Sequence, residues 1–164
     1  MANLILVRSE HPEGAYAVRV LRQGSRLFLA RLGLDEVELS VVVTTDAEIR
    51  TLNRKWRKKD RSTDVLSFPA GDGPVLPGQK RWLGDVVLSL DTARARAQDD
   101  GRPVSAELSR YLAHGLLHLL GHDHHAPGEA ARMARAEAGL LGAAGMVPEE
   151  APGRRQRAPR ERRP

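Results

Sequence analysis

The sequence predicts a single α+β domain followed by a short basic tail, and three observations point that way. Segments with strand-like patterning and segments with helical spacing both occur, about four of the first and five of the second, in an order that does not strictly alternate. The 164 residues are 41% hydrophobic, enough for one domain with its own core. Charge divides the chain unevenly. Of 26 basic and 21 acidic residues, six arginines and Glu161 lie after residue 150, so the body carries twenty of each sign and the end carries the whole net charge of +5. The expected division is a folded domain over 1–147 and an Arg/Pro-rich disordered tail over 148–164, where apolar residues are almost lacking.

Taken in order, Leu4 to Val7 reads as a first strand. This apolar run is too short for a signal peptide or a membrane span, and the chain has no cysteine, so a cytoplasmic protein without disulfides is expected. From Ala15 to Leu32, the residues Val18, Leu21, Phe28, Leu29 and Leu32 recur at helical spacing, and Gly33 supplies a stop. The alternation Val37, Leu39, Val41, Val43 gives a second strand. Thr45 and Glu48 form a capping-box pattern, opening a helix with Ile49, Leu52 and Trp56 on its apolar face. Trp56 should anchor that helix in the core, with Arg57 about 100° away on a more exposed face. A third strand follows Thr63 and Asp64 as far as Pro69, a Gly/Pro-rich loop spans 71–78, and Trp82 to Leu90 is the fourth strand. Asp91 or Thr92 should cap a short helix that runs to about Asp99, where Gly101 breaks it. Pro103 suits the first turn of the next helix, and Glu129 to Leu141 forms a last, alanine-rich one.

The helix after Pro103 ends in the most informative stretch of the chain. Five of the six histidines lie between His114 and His125. On a helix, residues four apart differ by roughly 40° around the axis, so His114 and His118 point the same way from adjacent turns. Gly121 suits the left-handed residue just past a helix end, and the turn it permits can bring His124 back. Three neutral imidazoles on one ion leave a fourth tetrahedral position open for water or substrate, the arrangement of a catalytic zinc. His122 and His125 are read as solvent-facing or supporting residues. Metalloproteases of the His-Glu-x-x-His type carry their general base beside the first histidine, and here that place is Gly115, which argues against peptidase chemistry.

A second feature lies at the end of the Trp56 helix. Seven basic residues (Arg50, Arg54, Lys55, Arg57, Lys58, Lys59 and Arg61) face only Asp60 within twelve positions. In a body of zero net charge, such a patch suggests docking of phosphates. The basic tail could add salt-sensitive attraction to RNA.

Three ordered blocks resemble one family. Asn53-x-x-Trp56-Arg57-x-x-Asp60-x-x-Thr63-Asp64-Val65-Leu66-Ser67-Phe68-Pro69, then Leu83-Gly84-Asp85-Val86, then His114-Gly115-x-Leu117-His118-Leu119-x-Gly121-x-Asp123-His124, are similar in order and spacing to the bacterial YbeY family. The resemblance covers about Leu4 to Gly145, and the basic tail lies outside it. It implies a central mixed sheet with helices around it. It also implies a zinc-dependent, single-strand-specific endoribonuclease that matures ribosomal RNA, notably the small-subunit 3′ end, and takes part in ribosome quality control. By the same resemblance His114, His118 and His124 hold one zinc ion, and Arg57 is tied to activity. As a planar fork of donors, Arg57 is suited to clamp a non-bridging phosphate oxygen. Asp64 and Asp85 are candidates to orient the ligand histidines, or else to cap strand ends. Two other readings remain: a ribosome-assembly factor with a mainly structural metal, marked by a fourth protein ligand, and a metallopeptidase, which needs a carboxylate brought in from elsewhere.

Overall fold

A computed structural model describes residues 2–143. The domain boundary expected at 147 and the tail over 148–164 lie outside the described residues. Four strands form one sheet, β1 (Leu4–Ser9), β2 (Val37–Thr44), β3 (Val65–Pro69) and β4 (Arg81–Ser89), in the order β1-β2-β4-β3. β1, β2 and β4 run parallel and β3 pairs antiparallel at the edge, so the sheet is mixed. Five helices accompany it: α1 (Ala15–Arg31), α2 (Asp46–Arg57), α3 (Leu90–Asp100), α4 (Val104–Leu119) and α5 (Pro127–Ala143). No helix among the described residues is long and apolar enough to cross a membrane.

The two faces of the sheet are unequal. Val41 and Val43 of β2 and Val86 and Leu88 of β4 face one side, where they pack with Leu21 and Phe28 of α1 and Leu112 and Leu116 of α4. Opposite them, Val42, Leu66 and Val87 meet Ile49 of α2 in a much smaller cluster. The larger core encloses α4, whose Leu108, Leu112, Leu116 and Leu117 are fully buried. At Gly115 this helix passes so close to the sheet that a Cβ there would stand 2.7 Å from Val86 Cγ1 and 3.2 Å from Val65 Cγ2. Glycine is therefore a packing requirement at that position.

The expected caps hold with two adjustments. Thr45 caps α2 by accepting from the Glu48 amide. α3 is capped by Ser89, ahead of the expected Asp91 or Thr92. Asp91 is committed elsewhere, accepting from the Asp46 amide at 2.9 Å and lying 2.8 Å from His11 Nε2. Pro103 is the residue before α4 and not its first turn, since its backbone is extended. One expectation is overturned: Trp56 does not anchor α2 in the core but is 60% exposed. Ile49 is the buried residue of that face, and Leu52 is only partly covered.

Candidate metal centre

The end of α4 closes as a Schellman motif: the Gly121 amide donates to the His118 carbonyl at 3.1 Å and the His122 amide to the Leu117 carbonyl at 3.0 Å. Gly121 has φ +93°, a conformation that an L side chain resists. The chain reverses there, and the Asp123 carboxylate accepts from the His124 amide at 2.6 Å, fixing the turn. That hydrogen bond chiefly holds the Asp123 carboxyl below its ordinary range.

His114 and His118, one turn apart, bring their Nε2 atoms within 3.0 Å of each other. The His124 ring lies 5.9 Å from the His114 ring and 5.2 Å from the His118 ring. One nitrogen from each of the three lies within 4.8 Å of the others. Nitrogens sharing a zinc at about 2.0–2.1 Å stand roughly 3.3 Å apart, so these side chains fit a single ion with little movement. Burial first, and then the neighbouring His114 and His124, hold His118 below the ordinary histidine value, which favours the neutral form a metal requires. His122 and His125 line the same cleft but do not join the three.

A residue that sequence reasoning missed stands behind the first histidine. Glu137 of α5 places Oε1 2.5 Å from His114 Nδ1. Because His114 turns Nε2 toward its partners and Nδ1 toward the carboxylate, Glu137 selects the tautomer whose Nε2 lone pair faces the other imidazoles. The two suggested aspartates do not do this. Asp64 caps the start of β3, accepting from the Val65 amide at 2.8 Å and pairing with Arg96 at 2.7 Å. Asp85 lines a separate groove with Leu52, Trp56 and Phe68.

The histidines open into a cleft of about 690 Å³ that Arg57, Lys59 and Arg61 also line. Buried Asn53 arranges this wall. Its side-chain amide donates to the Arg61 carbonyl at 3.0 Å, and its own carbonyl accepts from the Lys58 and Lys59 amides. Lys58 takes the left-handed conformation that ends α2. Arg57 donates from Nη2 to the Ser67 carbonyl at 2.6 Å and lies 5.7 Å over the Phe68 ring. Ser67 in turn donates from Oγ to the Gly115 carbonyl at 3.1 Å, so Arg57 is tied through β3 to the helix that carries the histidines. Not all of the basic run belongs to the cleft. Arg50 pairs with Asp60 at 2.9 Å, and Lys55 lies 5.1 Å over the Trp56 ring.

The family model for endoribonuclease YbeY matches residues 16–145. The chain belongs to the YbeY family. An endoribonuclease YbeY of Anaeromyxobacter dehalogenans is 56% identical over 144 residues, covering 88% of this chain and 73% of that protein. Another, of Myxococcus xanthus, is 53% identical over 145 residues; the match covers 88% of this chain but only 49% of the longer relative. A solution structure of a Thermotoga maritima protein, 23% identical, shares the fold with a TM-score of 0.54 over 93% of this chain and all of that one. All three blocks of the YbeY resemblance fall within the matched span, and two of them, around Arg57 and around His114, line one cleft.

Proposed function

We propose that this chain is a zinc-dependent endoribonuclease specific for single-stranded RNA. In this reading it works in the cytoplasm on ribosomal RNA, notably the small-subunit 3′ end, in contact with the ribosome or its small subunit, and serves both maturation and quality control. The observation that carries the proposal is the meeting of three convergent imidazoles and three cationic side chains in one cleft.

His114, His118 and His124 would hold the zinc, which when bound supplies Lewis acidity toward a phosphoryl oxygen and acidifies water. The chain's own groups do the rest. Glu137 keeps His114 in the ligating tautomer. Lys59 and Arg61 draw the RNA backbone into the cleft. Arg57, steadied by the Ser67 carbonyl and the Phe68 ring, offers its remaining N–H donors to a non-bridging oxygen as charge develops there. Two competing readings lose ground. A closed structural site calls for a fourth ligand, and none joins the three histidines among the described residues. A peptidase needs a carboxylate at the open position, yet Gly115 is pressed against the sheet and Glu137 meets the far nitrogen of His114.

The test is single-turnover cleavage of a labelled, unstructured RNA, with metal content and melting followed on the same samples. Chelation should abolish cleavage and zinc restore it, while duplex RNA should resist. Alanine at His114, His118 or His124 should remove stoichiometric metal. Arg57→Lys and Arg57→Ala should keep metal, melt within a few degrees of wild type and cleave roughly 10²-fold more slowly. Full metal retention in all three histidine variants, or wild-type cleavage by Arg57→Ala, would refute the assignment.

A further inference from the structure

β3 is an edge strand whose successive side chains face opposite sides of the sheet. Ser67 faces α4, to which it is hydrogen-bonded, and Phe68 faces the α2 side. There the helix leaves a groove of about 510 Å³ whose lining includes Leu52, Trp56, Phe68 and Asp85. Trp56 stands edge-on to Phe68, with ring centres 6.4 Å apart and planes at 69°, and most of the indole is open to solvent. Asp85 is the register partner of Phe68, so the carboxylate and the ring lie side by side. Its carboxylate is half-buried and makes no hydrogen bond or ion pair among the described residues. Glu10 and Glu48 also line the groove, against Arg8, which is already paired with Glu10 at 3.3 Å. Lys55 and Arg57 lie over the Trp56 and Phe68 rings, so the cations sit at the aromatic rim while the acidic part of the groove around Asp85 accepts the N–H edge of a neutral base. Arg57 joins this groove to the histidine cleft: its guanidinium reaches the Ser67 carbonyl on the edge strand while lying over Phe68.

On the strength of the endoribonuclease reading, we propose that Trp56 and Phe68 form a stacking subsite for a nucleobase next to the phosphate held at Arg57, and that Asp85 reads the N–H donors on the edge of that base. One extended strand crossing the sheet edge at Arg57 places a phosphate on the histidine side and a neighbouring base on the aromatic side. Aromatic rings hold unpaired bases of single-stranded RNA by stacking, and a carboxylate accepts from their exposed pairing edges. A base within a duplex has its edge occupied and its faces covered, so the subsite itself selects single strands.

The experiment replaces each nucleotide of the unstructured RNA, one at a time, by an abasic one, and measures kcat/KM for the full chain and its variants. In the wild type, one abasic position beside the cut should cost roughly tenfold. Trp56→Ala should lose about as much on the intact strand, and the abasic position should cost that variant nothing further, whereas Trp56→Phe should retain most activity. Asp85→Ala should narrow the preference for guanine, with adjacent N–H donors, over uracil at that position. A binding readout runs in parallel: with Trp82→Phe leaving Trp56 as the sole tryptophan, intact RNA should quench its fluorescence and the abasic strand should not. Additive losses at every position, wild-type cleavage by Trp56→Ala, or equal quenching by both strands would overturn the subsite while leaving the endoribonuclease reading intact. If the wild type neither cleaves nor binds the RNA, that reading fails and the subsite falls with it.

Discussion

Removing the Glu137 carboxylate should loosen the metal without unfolding the protein. The contact with His114 Nδ1 is 2.5 Å long, and the two side chains are 22% and 35% exposed. A hydrogen bond to a charged group contributes about 1.5–3 kcal/mol, and partial exposure favours the lower half of that range. Carboxylates that orient a ligating histidine typically contribute 10- to 100-fold in metal affinity. Together these place the loss for Glu137→Ala at about 1.5–2 kcal/mol, or roughly a 10- to 30-fold rise in the zinc Kd. Glu137→Gln keeps an acceptor oxygen but gives up the charge, so it should lose only severalfold. The assay is competition for zinc against a chromophoric chelator at fixed pH, with the melting of the metal-free protein recorded beside it. An unchanged Kd in Glu137→Ala, with α5 still folded, would show that the contact does not hold His114 in place.

Further outcomes follow from the same geometry. Gly115→Ala should lower stability by about 1–3 kcal/mol in chemical denaturation, because its Cβ meets Val86 at 2.7 Å. Gly115→Glu, which writes the protease pattern into the sequence, should fail to fold and gain no peptidase activity; a stable variant that cuts peptides would contradict the packing argument. Neutralising Lys59 and Arg61 should weaken RNA binding and reduce the slope of log K against log salt by about one unit for each phosphate no longer neutralised. Arg50, engaged with Asp60, should change that slope less when neutralised. His118 has its pKa depressed in the folded state, so below the ordinary histidine value, about 6.5, the unfolded chain binds more protons than the folded one. Stability of the metal-free protein should therefore decline as pH falls through that value toward the lower folded pKa, and zinc affinity should fall in the same window. A His118→Asn variant should show a flatter melting profile as pH falls below about 6.5.

Much of this architecture was legible because its signals are local. The four-residue spacing of His114 and His118 announced two imidazoles on one helix face, and Gly121 announced the turn that returns His124. What escaped depends on partners distant in sequence. The spacing of Ile49, Leu52 and Trp56 defines a face, but not how far the sheet extends beneath it, and Trp56 lies at its open end. Glu137 is one of two acidic residues in an alanine-rich helix, and only the packing of α5 on α4 gives it a histidine to meet. Ser89 displaced Asp91 as a cap because Asp91 joins His11 and the Asp46 amide, 80 and 45 positions away. The absence of a glutamate beside His114 was visible in the sequence, but its cause, the close approach to Val86, was not.

The three imidazoles are mounted on supports of very different firmness. His114 and His118 ride on a helix sealed in the main core, whose amides should exchange with solvent only when the whole domain opens. His124 sits on an exposed turn that can open by itself. If the three histidines hold the metal as proposed, its capture should run in two stages, a standing pair of nitrogens making the first contact and the turn closing to complete the set. Apparent affinity should scale with the fraction of time the turn spends closed, so a substitution that stiffens the turn at a position other than His124 should raise affinity. Slow metal release would report the opening of that turn, and amide exchange at His124 should slow on metal binding far more than exchange at Leu116.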